Sequence, residues 1–361
     1  MCGVARGAEP ETLADRAGKA VAIDPLQYPA WDSLLAAHPE SSFFHGSAWA
    51  RVLHDTYGHQ PAYFCRFVAG QLADLLPVME VSSRWTGRRG VSLPFADFCA
   101  PLGGGEGDSE ALHGAALAYG RQRGWRYLEC RGNVGGRREP SPSLAFYGHV
   151  IDLEPGPDAL LRGLDGAARR GIRKAREARL EVGFGADLES VRTFYALHCR
   201  TRSRHGLPPQ PFRFFENIAR HVLEQGQGGV FTARTGRGPV AAAVFFHRGG
   251  EALYKFGASD YAFQSLRPNN LVMWEAMKRY AGEGFKRLHL GRTSLANEGL
   301  RRFKLGFGAA EHRIEYSKYD FRRRKFVVDR DRAEGWLNRI FQCLPLPLLR
   351  LAGQALYPHL S

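Results

Sequence analysis

Residues 251–308 read EALYKFGASDYAFQSLRPNNLVMWEAMKRYAGEGFKRLHLGRTSLANEGLRRFKLGFG, and the order of signals within them decides the fold. A half-apolar run predicts a strand over 251–256, followed by a loop that ends in Arg-Pro-Asn-Asn. Pro268 suits the first turn of a helix, where its missing N–H costs nothing. Apolar residues at helical spacing then predict a helix over 270–282, a second strand over 285–290 and a short helix over 297–305.

Immediately upstream, a hairpin is predicted over 229–235 and 240–248, turning at Gly-Arg-Gly-Pro, with helices over 187–202 and 212–224 before it. Further upstream one helix is predicted over 160–179: Leu160, Leu164, Ala168, Ile172 and Ala175 form its apolar stripe, and Arg169, Arg173 and Arg176 share another face. Downstream, a strand over 313–321 precedes an amphipathic C-terminal segment over 331–361.

The first half shows the same order. Helices over 28–37 and 47–57 lead to a hairpin over 62–68 and 72–81, a strand over 90–94, a Gly-rich loop, a helix over 110–123 and a strand over 125–130. Gly124-Trp125-Arg126-Tyr127-Leu128 lies 160 residues before Gly284-Phe285-Lys286-Arg287-Leu288, and each follows the crossing helix of its half. The expectation is two copies of one α+β domain, with mixed, mainly antiparallel sheets and flanking helices. The boundaries are a tail over 1–20, a first domain over 21–155, a second over 156–330 and the C-terminal segment.

A chain of 361 residues with 44% hydrophobic content is long enough for two cores. It has no run of 18 apolar residues, and its first 20 are too polar for a secretory signal, so a cytoplasmic protein is expected. Six cysteines without CxxC or Cys/His spacing predict reduced thiols and no structural metal. Of the +14 net charge, residues 161–180 carry seven basic against two acidic side chains and 301–330 carry ten against four. Such local basicity attracts phosphate-bearing partners: a nucleotide, a lipid-linked precursor, RNA (including tRNA) or an anionic membrane.

The run YKFGASDYAFQSLRPNNLVMWEAMKRYAGEGFKRLHLGRTS, followed by NEGLRRFKLGFGA, resembles the FemAB-type branch of the GNAT acyltransferases, which are tandem GNAT-like proteins acting on cell-envelope precursors. ARRGIRKAREARLEV resembles the segment that opens the second domain in that branch, and FFHGSAWARVLHDTYGHQPAYF carries the likeness into the first. The resemblance implies transfer of an acyl or aminoacyl group to an amine of a cell-envelope or exopolysaccharide precursor. Acyl-CoA is preferred over aminoacyl-tRNA as the donor. LRPNN stands where the family's Gly-x-Gly pyrophosphate loop is expected, and Phe303-Lys304 stands where a thiolate-protonating tyrosine is expected. A GNAT scaffold without catalysis, binding phosphorylated ligands or RNA in a basic cleft, is the alternative from another class.

A loop entering a helix N-terminus favours phosphate, which assigns Arg267, Asn269, Asn270 and Leu271 to the donor. Lys304 is placed to neutralise charge developing on the donor carbonyl or leaving group, or to pair with a substrate phosphate, and Arg292 to contact a substrate anion at the catalytic centre. His289 and Glu298 are the available bases. Arg301 offers a bidentate fork for a substrate anion, Arg169, Arg173 and Lys174 are assigned to acceptor phosphates, and Tyr254 to the cleft wall. The C-terminal apolar run either packs on the second domain or lies against a membrane surface at the inner face.

Overall fold

The computed structural model describes residues 18–38, 40–103, 106–132, 141–329 and 336–360, so the predicted tail lies outside it as far as residue 17. The chain divides into two compact units: Met1–Phe146 with Ile314–Asp331 and Leu356–Ser361, and Tyr147–Arg313 with Arg332–Ala355. The division falls at 146/147 and not at the expected 155/156, and residues 314–331 go with the first unit. Strand pairing is the reason, since Tyr316–Asp320 are hydrogen-bonded to Tyr127–Arg131.

In the first unit, β1 (Val21–Ile23), β3 (Tyr63–Val68) and β4 (Gln71–Leu76) form an antiparallel sheet. A second sheet carries β2 (Gln60–Pro61), β5 (Met79–Ser83), β6 (Gly87–Val91) and β7 (Tyr127–Arg131). Here β6 and β7 run parallel, as a strand–helix–strand crossover requires, and the helix Glu106–Arg123 connects them. Phe64, Leu112, Ala116, Trp125 and Leu128 make the core beneath that helix.

Strand β8 (Leu144–Asp152) leads into the second unit, where β9 (Glu181–Gly185), β10 (Gly228–Thr235), β11 (Gly238–Arg248) and β12 (Glu251–Ser259) pair antiparallel in the order 9-10-11-12. The helix Pro268–Gly282 then crosses to β13 (Arg287–Ser294), which runs parallel to β12 and has β8 on its other side. Strand β14 (Ala310–Asp320) follows, and its last residues pair with β15 (Lys325–Phe326) in the first unit. Both units thus place their parallel pair on either side of the crossing helix, as the internal repeat leads one to expect.

The helix predicted over 160–179 is two helices, Pro157–Gly163 and Gly166–Glu177. Asp165 makes the break by accepting a hydrogen bond from the Ala168 N–H at 2.6 Å, which satisfies an otherwise orphaned helix donor. Ile172 and Ala175 on the second helix join Leu271, Trp274 and Met277 of the crossing helix, and Leu288 and Leu290 of β13, in one core. No described helix is long and apolar enough to cross a membrane.

Candidate active site in the second unit

Two irregularities open the sheet between β12 and β13. The strands pair only over Glu251–Leu253 and Arg287–His289, although both continue for several residues. On β12, Val244 faces Phe256 while Phe245 faces Tyr254, so Lys255 is an extra residue that bends the strand just where pairing with β13 stops. On β13, Gly291 adopts φ +66°, a conformation that costs other L-residues about 1–2 kcal/mol. The turn reverses the side-chain alternation: Leu288 and Leu290 are buried before Gly291, and Thr293 after it. The strand predicted over 285–290 therefore runs on to Ser294 with its far end re-aimed.

The carbonyls around this kink are held by Lys304. Its side chain is 2% exposed, and its ammonium donates to the oxygens of Gly291 (3.1 Å) and Arg292 (3.2 Å). Lys304 belongs to the helix Glu298–Gly306, whose first turn is capped by Asn297 accepting from the Leu300 N–H. Leu300 and Phe303 of the same helix line a cavity of about 240 Å³. Its other walls are Tyr254, Gly257 and Ser259 of β12, Asn269, Val272 and Met273 of the crossing helix, and Thr201 and Arg204 of the helix Leu188–Arg204. The Thr201 hydroxyl fixes the far rim by donating to the Ser259 carbonyl and accepting its N–H, each at 3.1 Å. Burial pushes the Tyr254 hydroxyl up to about 12, which keeps it a neutral donor, and a Cβ at Gly257 would collide with that hydroxyl.

Beside Lys304 lies a charged cluster of which the sequence pointed only to Arg301. His149 of β8 is fully buried, and its Nε2 lies 3.1 Å from the Glu311 carboxylate. Burial, then the nearby Lys304 ammonium, depress the His149 pKa. Glu311 also takes a two-pronged bond from Arg301 (2.7 and 2.9 Å), whose guanidinium lies 4.5 Å from the Tyr147 ring centroid. The His149 Nδ1 and the Thr293 hydroxyl are buried and have no hydrogen-bond partner. They are two of several such atoms among the described residues, and these two lie on β8 and on the kinked strand β13, where water or a ligand can supply the missing partner.

The other candidate residues fall differently. His289 bonds Glu251 at 3.1 Å, and Arg287 joins the same carboxylate, so this imidazole belongs to an ion-pair network at the zipped end of β12–β13. Glu298 is exposed and 3.5 Å from Arg301 on its own helix. Arg301 is held by Glu311 and so offers no open fork. Arg292 is half-buried, with its carbonyl on Lys304.

At the donor end, Arg267 is exposed at φ +61° as the N-cap residue of the crossing helix. The helix start presents fewer donors than its sequence suggests, because Pro268 has none and the Asn270 N–H is spent on the Arg267 carbonyl at 3.1 Å. Asn269 donates to the Ser259 hydroxyl at 3.3 Å on the cavity rim. The Asn270 side chain packs against Gly171, and Leu271 is core. Arg169, Arg173 and Lys174 are exposed on the helix Gly166–Glu177, with Glu177 3.8 Å from Arg173.

In the first unit the corresponding gap is filled. The Ser92 N–H extends the β6–β7 pairing onto the Glu129 carbonyl at 2.7 Å. The buried Arg131 guanidinium bonds Glu129 and the Ala96 carbonyl, at 3.1 and 3.0 Å.

Residues 166–313 match the family model described as Acetyltransferase (GNAT) domain. No curated protein matches the chain in sequence. Among solved structures, FemX superposes with a TM-score of 0.63 at 14% identity, over 81% of this chain and 96% of its own. A tandem GNAT protein from the clavulanic acid biosynthesis pathway gives 0.52 at 12% identity, over 84% and 98%. L-PGS from Bacillus licheniformis gives 0.51 at 13%, over 98% of both chains. Cavity, kinked strand and buried lysine all lie within or beside residues 166–313, which match an acetyltransferase (GNAT) domain, and the fold of the chain is similar to that of FemX and of a tandem GNAT protein.

Proposed function

We propose that the second unit transfers an acyl group from an acyl-CoA to an amine in the opening between β12 and β13. One observation carries the reading: the helix whose buried lysine anchors the kinked strand also lines a cavity with Leu300 and Phe303. The donor thioester lies along the free edge of β12 with its carbonyl oxygen toward Lys304. The acceptor nitrogen attacks the carbonyl carbon, a C–N bond forms, and the electron pair moved onto oxygen is stabilised by the ammonium. Collapse breaks the C–S bond and releases the thiolate, which takes a proton from solvent water, while the proton held on His149 returns to solvent. The amine loses its proton to His149 Nδ1 through an intervening water, with Glu311 holding the imidazole by its other nitrogen. The Tyr254 hydroxyl, neutral at physiological pH, donates to the pantetheine arm.

The acceptor in this reading bears phosphate, as cell-envelope and exopolysaccharide precursors do, because Arg169, Arg173 and Lys174 form an exposed basic face on the Gly166–Glu177 helix. Thermal unfolding with acetyl-CoA, longer acyl-CoAs and aminoacyl-tRNA tests the donor. Stabilisation by the thioesters alone is expected. Stabilisation by aminoacyl-tRNA alone replaces the donor, and no response to any of them removes the catalytic reading in favour of a binding module.

A further inference from the structure

The C-terminal helices of the second unit carry an apolar face of their own. The helix Leu346–Leu356 turns Leu349 and Gly353 inward, with Gly353 so close to the Pro209 carbonyl that no side chain fits between them. At about 100° per residue, the direction opposite those two is that of Leu351, flanked by Pro347, Leu348, Ala355 and one polar residue, Gln354. Leu351 is 58% exposed and Leu348 51%, and Ile340 on the preceding helix Trp336–Gln342 is 48% exposed. A helix apolar toward the body and mainly apolar away from it calls for cover on both sides.

Charge selects the cover. Residues 336–361 hold no Asp or Glu, although the chain has 36 of them, and they hold Arg339 and Arg350. Arg350 sits 5.4 Å from the Tyr195 ring centroid, which positions it between the inward and outward faces. A second copy of the chain would bring the same arginines against each other and add one +14 body to another. An anionic surface attracts both arginines. The helix is about 16 Å long, so it can lie in a bilayer interface but cannot span one.

We propose that the outward face of the Leu346–Leu356 helix, with Ile340, seats in the headgroup region of an anionic phospholipid bilayer. Leu348 and Leu351 enter the acyl boundary while Arg339 and Arg350 stay at the phosphates. The proposal does not depend on the transferase reading. Its test is co-sedimentation of the full chain with phosphatidylcholine vesicles and with vesicles of equal parts phosphatidylcholine and phosphatidylglycerol, for the wild type and for Leu348→Ser/Leu351→Ser. Both leucines are exposed, so the variant is expected to keep the wild-type melting temperature. The expected result is binding to the mixed vesicles, weak binding to the neutral ones, and a loss of about tenfold or more in the variant. Binding unchanged by the substitutions, or equal on neutral vesicles, overturns the proposal. So does a wild type that ignores both vesicles; if it also forms a dimer that the substitutions abolish, the face is an interface between copies.

Discussion

Replacing Lys304 by methionine keeps the length and most of the apolar stem of the side chain and removes its charge. Two effects follow, and they separate by assay. The carbonyls of Gly291 and Arg292 lose a buried donor, and an unsatisfied buried acceptor costs about 1–3 kcal/mol. Relief from keeping an ammonium buried offsets part of that, so a modest fall in melting temperature is expected. Loss of one preorganised group facing a developing oxyanion costs about 100- to 1,000-fold in kcat. Steady-state release of free thiol from an acyl-CoA, read with an acceptor amine present, measures the second effect, and donor titration shows whether binding survives. The expected pattern is a large fall in kcat with donor affinity within a few-fold of wild type. A variant that is folded, binds donor and turns over within threefold of wild type would show that Lys304 only braces the strand.

Three further outcomes follow from the same geometry. Gly291→Ala puts a Cβ at φ +66° and is expected to destabilise by about 1–2 kcal/mol in urea unfolding, with a fall in kcat as the Lys304 acceptors shift; equal activity and stability would mean the kink is incidental. His149→Gln is expected to keep donor binding and lower kcat by about 100-fold or more, while abolishing the acidic limb of the pH–rate profile; a limb that persists assigns the base elsewhere. Burial holds His59 and His198 at about 3 in the folded chain, against about 6.5 when unfolded. The unfolded chain therefore binds protons that the folded chain refuses, and urea midpoints are expected to fall steadily as pH drops from about 6.5 toward 4. Midpoints that stay flat across that window contradict the burial of both rings.

Most of the fold was legible because it rests on local signals. The helix predicted over 47–57 is the observed Ser47–Tyr57, and the second hairpin and both crossing helices stand where apolar spacing put them. The break at Asp165 was hidden because the apolar stripe runs on across it; only the cap hydrogen bond reveals it. In the candidate site, Lys304 drew attention from its place between Phe303 and the Gly-Phe-Gly turn, and its burial against two carbonyls is a feature that place does not announce. His149 was not, because Glu311 lies 162 residues away and nothing within FYGHVID sets the histidine apart from an ordinary strand residue. His289 attracted attention through its motif, yet Glu251, 38 residues earlier, claims it. Pairings over such separations arise from sheet order, which a one-dimensional pattern does not carry.

Acyl transfer at the opening between β12 and β13 leaves a product that can be weighed. The most direct measurement is mass-spectrometric detection of acylated amine, formed from acetyl-CoA or a longer acyl-CoA and a panel of phosphate-bearing amines, with wild type and Lys304→Met side by side. Product is expected with wild type, with a loss of about 100-fold or more in the variant. Product formed equally by both, or thioesters that neither bind nor react, would contradict this expectation.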